Sequence, residues 1–182
     1  QTAGRGRLSR TFFSPDGTGL YMSLVLRPAC TPQEAALLTP AAAVAVSEAI
    51  ESVCGKEAQI KWVNDVFTDS RKVCGILAES ACPPDAPGAR LSYVILGIGL
   101  NVFTPPAGFP DELRAVAGAI FPDCPDEAAR DAVRQRLAAA ILDRFLRLYD
   151  RLPQVSFYEA YKERLCCLNV PGRLFDPVSD VP

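Results

Sequence analysis

The sequence predicts an α+β fold, with a β-sheet built mainly from the first hundred residues and helices after it. Most of the runs that alternate apolar and polar residues, which are typical of strands, lie before residue 103. After residue 126, apolar residues recur every three or four positions, which is typical of amphipathic helices. The chain has 182 residues, 49% of them hydrophobic, which is enough for one domain with its own core.

The first strand and the first helix have the clearest local signals. In residues 20–27, every second residue is apolar, which predicts a strand. Thr31 and Glu34 then form a capping box around Pro32, so we expect a helix from there to about residue 54, where Gly55 ends it. Pro40 predicts a kink or a broken first part.

The middle of the chain predicts a group of strands. Short strands are expected at 59–63 and 66–68, separated by a turn at Asn64 and Asp65, and a longer strand at 72–81 follows a turn at 69–71. Residues 82–90 are rich in proline and predict a loop. Residues 91–102 are apolar at nearly every position, which predicts a strand that is buried on both faces.

The last third is predicted to be helical. Asp126 is a suitable cap for a helix that continues to Leu152, where Pro153 ends it. A further helix is expected near 156–168, and residues 169–175 resemble the start of a strand.

Composition and the lack of histidine exclude several classes of function. The net charge is −2, so bulk charge gives no reason to bind nucleic acid or a membrane, and we expect neither partner from this segment. No apolar run approaches the roughly 20 residues of a spanning helix, and no secretory signal is visible. The chain has no histidine, which excludes a Ser-His-Asp or Cys-His arrangement within it, and also a histidine-ligated zinc site.

The cysteines favour a reducing compartment. There are 7, an odd number, without a C-x-x-C motif, and the adjacent Cys166 and Cys167 are poorly placed for a disulfide with each other. We therefore expect reduced thiols and a cytoplasmic protein.

Three segments have residues suited to binding anions. Gly4 to Arg7 places arginines on flexible backbone, which suits phosphate or carboxylate, although a solvated basic loop or an RNA-binding arm has the same composition. The segment Lys61-Trp62-Val63-Asn64-Asp65, with Lys72 soon after, could hold a phosphate and a metal ion together. Gly97 and Gly99 suggest close backbone approach by a ligand or a neighbouring element. Each segment taken singly also has a purely structural explanation.

Together these motifs resemble the catalytic domain of biotin protein ligases. The matches are GRGR-x-x-R with Phe12, Ser14-Pro15, the strand segment GLYMS, KW-x-ND, RK-x-x-GIL-x-E and GIG-x-N-V, all within residues 1–102. The helical pattern of that family continues to about residue 165.

The resemblance implies an α+β fold in which a mixed β-sheet is backed by helices, shared with lipoate ligases. It implies that the protein joins biotin and ATP, with Mg²⁺, into biotinyl-5′-AMP and then transfers biotin to one lysine of a biotin carboxyl carrier domain. Because the biotin carboxylate is already ionised at pH 7, the first step needs positioning and charge neutralisation rather than a base. A homodimer is compatible with the resemblance.

Site residues follow from the same resemblance, position by position. Lys72 and Arg7 match catalytic positions: Lys72 reaches the biotin carboxylate and the α-phosphate, and Arg7 protects the adenylate. Asn64 matches a position around the nucleotide. A free lysine amine is almost wholly protonated at pH 7, so the second step needs a base, and Asp65 is the candidate. Asp65 and Asn101 match positions around magnesium. The full set of expected binding residues is Gln1, Arg5, Gly6, Arg7, Arg10, Phe12, Tyr21, Ser23, Lys61, Asn64, Lys72, Gly75, Gly97, Gly99 and Asn101.

The chain also departs from the family's pattern. Ser9, Phe12 and Val63 stand where the family usually has Gly, Trp and Pro. We expect residues 1–168 to be the catalytic domain without its N-terminal segment, and residues 169–182 to be the start of a truncated β-barrel domain. Two alternatives remain open: a lipoate ligase or octanoyl transferase of the same fold, and a biotin-binding regulator or other non-catalytic biotin-binding protein.

Overall fold

An antiparallel sheet with helices packed on one face is the core of the computed structural model, which describes residues 1–7, 10–83 and 91–171. The sheet has five strands in the order β1-β5-β4-β3-β2. The strands are β1 (Gly19–Leu26), β2 (Gln59–Lys61), β3 (Asp65–Thr68), β4 (Arg71–Ala81) and β5 (Tyr93–Asn101). The helices are α1 (Pro32–Ala35), α2 (Leu38–Cys54), α3 (Asp111–Arg114), α4 (Glu127–Tyr149) and α5 (Tyr158–Arg164). The predicted α+β class is confirmed.

The sheet is antiparallel, which differs from the mixed sheet that the resemblance implied. Every pairing between named strands is antiparallel. Parallel contacts occur only as isolated bridges within the described ranges, such as Ile60 with Leu165 and Lys72 with Ala117.

The capping box at Thr31 is present, and the predicted break follows it. The Thr31 hydroxyl accepts a hydrogen bond from the Glu34 amide, and the Glu34 carboxylate accepts one from the Thr31 amide. The helix is interrupted at Ala36 and Leu37, and α2 then places Pro40 in its first turn, where a missing amide hydrogen costs least. Gly55 ends α2 with φ +65°, a left-handed conformation that favours glycine.

The core lies between the sheet, α2 and α4. Leu96 and Leu100 of β5 are buried on the same face as Val94 and Ile98. On this side of the sheet the Ala-rich α2 packs against β2, β3, β4 and α4, and α4 also contacts β1. Short alanine side chains let the helix approach the strands closely.

The prediction that β5 is buried on both faces is wrong. Its burial alternates, with Ile95, Gly97, Gly99 and Asn101 only half-buried. The sequence pattern is apolar on both sides because glycine and isoleucine occupy the second face, whereas α2 covers only the first. We call this second face of the sheet the open face.

Element ends differ from the predictions by a few residues. Asp65 begins β3 rather than lying in the turn, α4 ends at Tyr149, and α5 is shorter than expected. The short α3 was not predicted because four residues are too few to show a period. Most of the expected loop at 82–90 and of the expected strand at 169–175 lies outside the described residues, as does most of the expected second domain at 169–182.

One segment, Pro32–Cys54, is long and apolar enough to span a membrane by length and composition alone. This differs from the expectation that no such run exists, because alanines rather than large residues supply the apolar character. More than half of the segment is buried inside the fold, as in the core helix of a soluble protein.

Candidate functional site

The open face of the sheet has a floor without side chains at its centre. Strand register places Tyr21 beside Gly99, Gly99 beside Gly75, and Gly75 beside Asp65, in one row across four strands. Since paired residues share a face, the two glycines form a flat floor with an aromatic residue on one side and a carboxylate on the other.

Phe12 lies on this glycine floor. A β-carbon at Gly99 would stand 2.7 Å from Phe12 Cε1, and one at Gly75 would stand 3.1 Å from Cε2. Both distances are shorter than a relaxed carbon–carbon contact, so these positions need glycine while the phenyl ring is there. The ring also packs edge-on against Tyr21, with 6.3 Å between the ring centroids.

The arginine-glycine segment that precedes Phe12 doubles back on itself rather than forming an irregular loop. The Phe12 amide donates to the Gly4 carbonyl at 3.0 Å, and the Gly6 amide donates to the Arg10 carbonyl at 2.7 Å. An antiparallel bridge between Arg5 and Thr11 lies between these bonds. Leu8 and Ser9, including the departure expected at Ser9, lie outside the described residues.

Glu79 holds Arg5 against the sheet. The Arg5 guanidinium lies 2.9 Å from the Glu79 carboxylate on β4. Glu79 is part of a motif that the sequence analysis quoted, but it was given no role there. The signal that could have identified it is a charged residue inside an otherwise apolar strand.

A β-bulge turns Lys72 toward the floor. Phe67 pairs with Lys72 and Val66 with Cys74, so Val73 is an extra residue on β4. Lys72 and Gly75, which an unbulged strand would place on opposite faces, therefore share one. The Lys72 ammonium stands 3.5 Å from where a β-carbon of Gly75 would be.

Lys72 and Asp65 form an ion pair at the end of the floor. Lys72 Nζ lies 2.7 Å from Asp65 Oδ1, and the two side chains are 30% and 24% exposed. Asp65 Oδ1 has no hydrogen bond of good geometry to any described group. The contact is therefore mainly electrostatic, and it keeps one partly desolvated cation beside the floor.

Two asparagines hold the backbone around the site. The Asn64 side-chain amide donates to the Ile76 backbone carbonyl at 3.0 Å, and the Asn64 backbone carbonyl accepts from the Ile76 backbone amide at 2.9 Å. The Asn101 amide donates to the Gly118 carbonyl at 3.0 Å. Because these bonds use the side-chain nitrogens of Asn64 and Asn101, the two side-chain oxygens can accept hydrogen bonds from a ligand.

A cleft of about 310 Å³ lies beside β4, mainly on the helix-covered face, because Ile76, Ala78 and Ser80 share that face with Val94 and point away from the glycine floor. It brings Arg7 and Asn64 together with the start of the α1–α2 region, and apolar side chains supply most of its wall. The lining residues are Arg7, Pro32, Ala35, Ala36, Thr39, Val63, Asn64, Ile76, Leu77, Ala78, Ser80 and Val94. Sequence reasoning missed the contribution of 32–39 because nothing local shows that this segment faces the cleft.

The structure therefore brings most of the expected residues to one region. Those on the open face are Tyr21, Ser23, Asp65, Lys72, Gly75, Gly97, Gly99 and Asn101, with Phe12 above them. The Tyr21 hydroxyl donates to the Pro15 carbonyl at 3.3 Å, and burial raises the pKa of Tyr21.

The remaining expected residues lie farther from the floor. Gln1 Oε1 stands 3.1 Å from where a β-carbon of Gly4 would be. The Lys61 ammonium lies 5.9 Å from the centre of the Phe67 ring, at the edge of the sheet. The side chains of Arg7 and Arg10 are exposed.

Comparisons with known proteins agree on one family. The sequence model of the biotin/lipoate A/B protein ligase family matches residues 1–101. The bifunctional ligase/repressor BirA of Bacillus subtilis is 41% identical over 145 residues, which are 80% of this chain and 43% of that protein. The biotin–[acetyl-CoA-carboxylase] ligase of Paracoccus denitrificans is 41% identical over 124 residues, which are 67% of this chain and 46% of that protein.

A solved structure extends the likeness to the fold. The biotin protein ligase of Aquifex aeolicus in complex with biotin and ATP superimposes with a TM-score of 0.67 and 27% identity, covering 91% of this chain and 66% of that one. The chain spans about half the length of the curated relatives that it matches, 43% and 46% in the two above.

Proposed function

Because the chain belongs to the biotin/lipoate A/B protein ligase family, we propose that it catalyses ATP-dependent attachment of biotin to protein. In the first step the biotin carboxylate attacks the α-phosphate of ATP, and biotinyl-5′-AMP and pyrophosphate form. In the second step a lysine amine of a biotin carboxyl carrier domain attacks the acyl carbon, and AMP leaves.

The observation that supports this proposal best is the position of Lys72 beside the glycine floor. Adenylation brings two anions, a carboxylate and a phosphate, to within bonding distance, so their repulsion must be cancelled. A lysine ammonium that is already desolvated in part, and is paired with Asp65 in the part of the chain that the structure describes, supplies that charge after a short movement toward the phosphate. The Phe12 ring lies on the floor formed by Gly75 and Gly99, so a flat part of a ligand that approaches this backbone would take the place of the ring.

Asp65 is the proposed base for the second step. A free lysine amine is almost wholly protonated at pH 7, so the acceptor must lose a proton before it attacks. Asp65 is the carboxylate at this end of the floor, and the Lys72 ammonium next to it would be drawn to the phosphate of the bound intermediate. In the proposed step, the acceptor proton passes to Asp65 as the new amide bond forms.

The other expected site residues have corresponding roles in the proposal. Gln1, Arg5, Gly6 and Arg7 contact biotin, Tyr21 and Ser23 line its pocket, and Arg7 closes over the adenylate. Arg10, Phe12, Lys61, Asn64, Gly97 and Asn101 complete the binding surface. Arg7 is exposed on the segment that leads to Phe12 above the glycine floor, which is consistent with a closing role.

Magnesium is included in the proposal as an ion held mainly by the nucleotide. The described residues contain no group of three or more acidic or thiol side chains that could hold a metal. Asp65 and the free amide oxygen of Asn101 are hard oxygen donors, and Mg²⁺ often takes only one or two such ligands besides phosphates and water. The ion would neutralise charge on the phosphates.

The proposal also covers the acceptor protein, the extent of the catalytic domain and the cellular compartment. We assign residues 1–168 to the catalytic domain, and a carrier domain of a biotin-dependent carboxylase as acceptor, since two relatives bear the name biotin–[acetyl-CoA-carboxylase] ligase. The free state of all seven cysteines supports a cytoplasmic protein.

A direct test is ATP–pyrophosphate exchange with biotin and with lipoate at equal concentrations. We expect exchange with biotin at least tenfold faster than with lipoate, followed by labelling of a purified carrier domain. Faster exchange with lipoate would instead indicate a lipoate ligase. Tight binding of biotin without any exchange would indicate a non-catalytic binding protein or a regulator.

A further inference from the structure

Two adjacent cysteine thiols lie at the protein surface beside β2, the strand at one edge of the sheet. Cys166 and Cys167 follow α5, and both are free and exposed. The Cys166 amide donates to the Ile60 carbonyl at 3.0 Å, which anchors the segment to β2. This pair has no part in the proposed ligase site.

The backbone between Leu165 and Leu168 forms a turn around the two cysteines. The Leu168 amide donates to the Leu165 carbonyl at 3.5 Å, so Cys166 and Cys167 are the two central residues. In a strand, successive side chains point to opposite faces. Residues at the centre of a turn do not follow this alternation. The side chains of Cys166 and Cys167 can therefore both turn toward one ligand atom.

The number of donors restricts what such a ligand can be. The chain has no histidine, and within the parts of the chain that the structure describes no group of three or more potential metal ligands includes this pair. A structural zinc site needs four protein ligands. A ligand that takes only two thiolates and brings its own third substituent matches the pair.

We propose that Cys166 and Cys167 form a chelating site for trivalent arsenic compounds. A trivalent arsenic atom forms three bonds, two of which would go to the cysteine sulfurs. An adjoining cleft of about 260 Å³, lined by Cys166 with Glu51, Glu163 and Arg164 among others, leaves room for the third substituent.

The reaction is an exchange of ligands on arsenic without oxidation or reduction. For an organoarsenic oxide, both thiols lose their protons to the oxide oxygen, two arsenic–sulfur bonds form and one water leaves. Binding through two linked thiols exceeds binding through one by about 10²–10⁴, because the second bond forms within one molecule.

The test uses phenylarsine oxide with the native protein and intact-mass spectrometry. We expect one phenylarsine group per chain, retained in excess monothiol and released by an equal concentration of a dithiol such as 2,3-dimercaptopropanol. Cys166→Ser and Cys167→Ser should each weaken retention about a hundredfold or more, whereas the matched control Cys82→Ser, which removes another exposed thiol, should retain the group. Circular dichroism checks that each variant is folded.

Three results would overturn the proposal. The wild-type protein could fail to retain the group in monothiol, a folded Cys166→Ser variant could retain it fully, or Cys82→Ser could lose it equally. Since the measurement involves neither biotin nor ATP, its outcome is independent of the proposed ligase activity.

Discussion

Lys72 is the residue on which the proposed first step depends most. Its ammonium is the cation beside the glycine floor, 2.7 Å from Asp65. We expect Lys72→Ala to slow biotin-dependent pyrophosphate exchange by about 10²–10³, the usual cost of losing one electrostatic donor at a reacting phosphate. The matched control is Lys56→Ala, which removes a lysine from an exposed ion pair with Asp69 at 3.0 Å and should leave exchange unchanged. Undiminished exchange by a folded Lys72→Ala variant would contradict the assignment.

Arg7 is predicted to affect retention of the intermediate more than its formation. Several groups contribute to adenylation, whereas closing the site depends on the exposed segment that carries Arg7. We therefore expect Arg7→Gly to keep part of the exchange activity but to release biotinyl-5′-AMP, which acylates exposed lysines of other proteins.

The measurement for Arg7 is a streptavidin blot of albumin added to the reaction, at matched adenylation rates. Arg27→Gly, which removes another exposed arginine just after β1, is the control and should label albumin no more than the wild-type protein does. If Arg7→Gly does not increase albumin labelling, Arg7 does not close over the adenylate.

At the scale of elements, the hairpin-like segment from Gly4 to Phe12 is expected to respond to ligand. Its arginines are exposed, and the contact that ties its outer part to the sheet is the Arg5–Glu79 ion pair. We expect trypsin to cut at Arg5, Arg7 or Arg10, and biotin with ATP to slow this cleavage because the bound anions hold the arginines. Equal cleavage rates with and without ligand would contradict a closing role for the segment.

Glu79→Gln tests the anchor of that segment without any ligand. An exposed ion pair of this kind contributes about 0.2–1 kcal/mol, so cleavage should accelerate by only about 1.4- to fivefold. Replacing Glu112, which is exposed on α3, by Gln should not change the rate. No acceleration in Glu79→Gln would show that backbone hydrogen bonds alone hold the segment.

The raised pKa of Cys54, at the end of α2, predicts a loss of stability at alkaline pH. Burial raises the pKa of Cys54 from 9.0 to about 11. Between these values the unfolded thiol loses its proton while the folded one keeps it, so the unfolded state binds fewer protons and the free energy of unfolding falls as pH rises. Below pH 9 this contribution is fully present.

Denaturant unfolding at several pH values from 8 to 11 measures this effect. We expect the decline in the free energy of unfolding to be shallower in Cys54→Ala than in the wild-type protein. The control Cys82→Ala, at an exposed cysteine, should follow the wild-type curve. An identical slope in Cys54→Ala would contradict the assignment of this titration.

At the scale of the whole molecule, α4 and the sheet should unfold as one unit. Ile141 of α4 is fully buried in the same core cluster as α2 and β5. Ile141→Ala should lower the free energy of unfolding by about 2–5 kcal/mol, measured in urea. Leu146→Ala removes a large side chain that is 46% exposed on the same helix, and should cost about 0.5 kcal/mol or less. Similar effects in both variants would show that α4 is not part of the core.

The sequence alone determined the features that arise from local interactions. Capping residues, prolines and the period of apolar residues located β1, α2 and α4, because these signals act within a few residues of the chain. The motifs also identified the residues that the fold brings together, since a family resemblance depends on residue type and order.

Only the tertiary structure decided how those residues are arranged. The half-buried second face of β5 depends on which side α2 covers, and an apolar pattern cannot specify that side. The Phe12 ring over Gly75 and Gly99, and the Arg5–Glu79 pair, join residues more than sixty positions apart. The bulge that turns Lys72 toward Asp65 comes from a mismatch between two paired strands. These features depend on contacts between distant segments, and such contacts form only when the whole chain has packed.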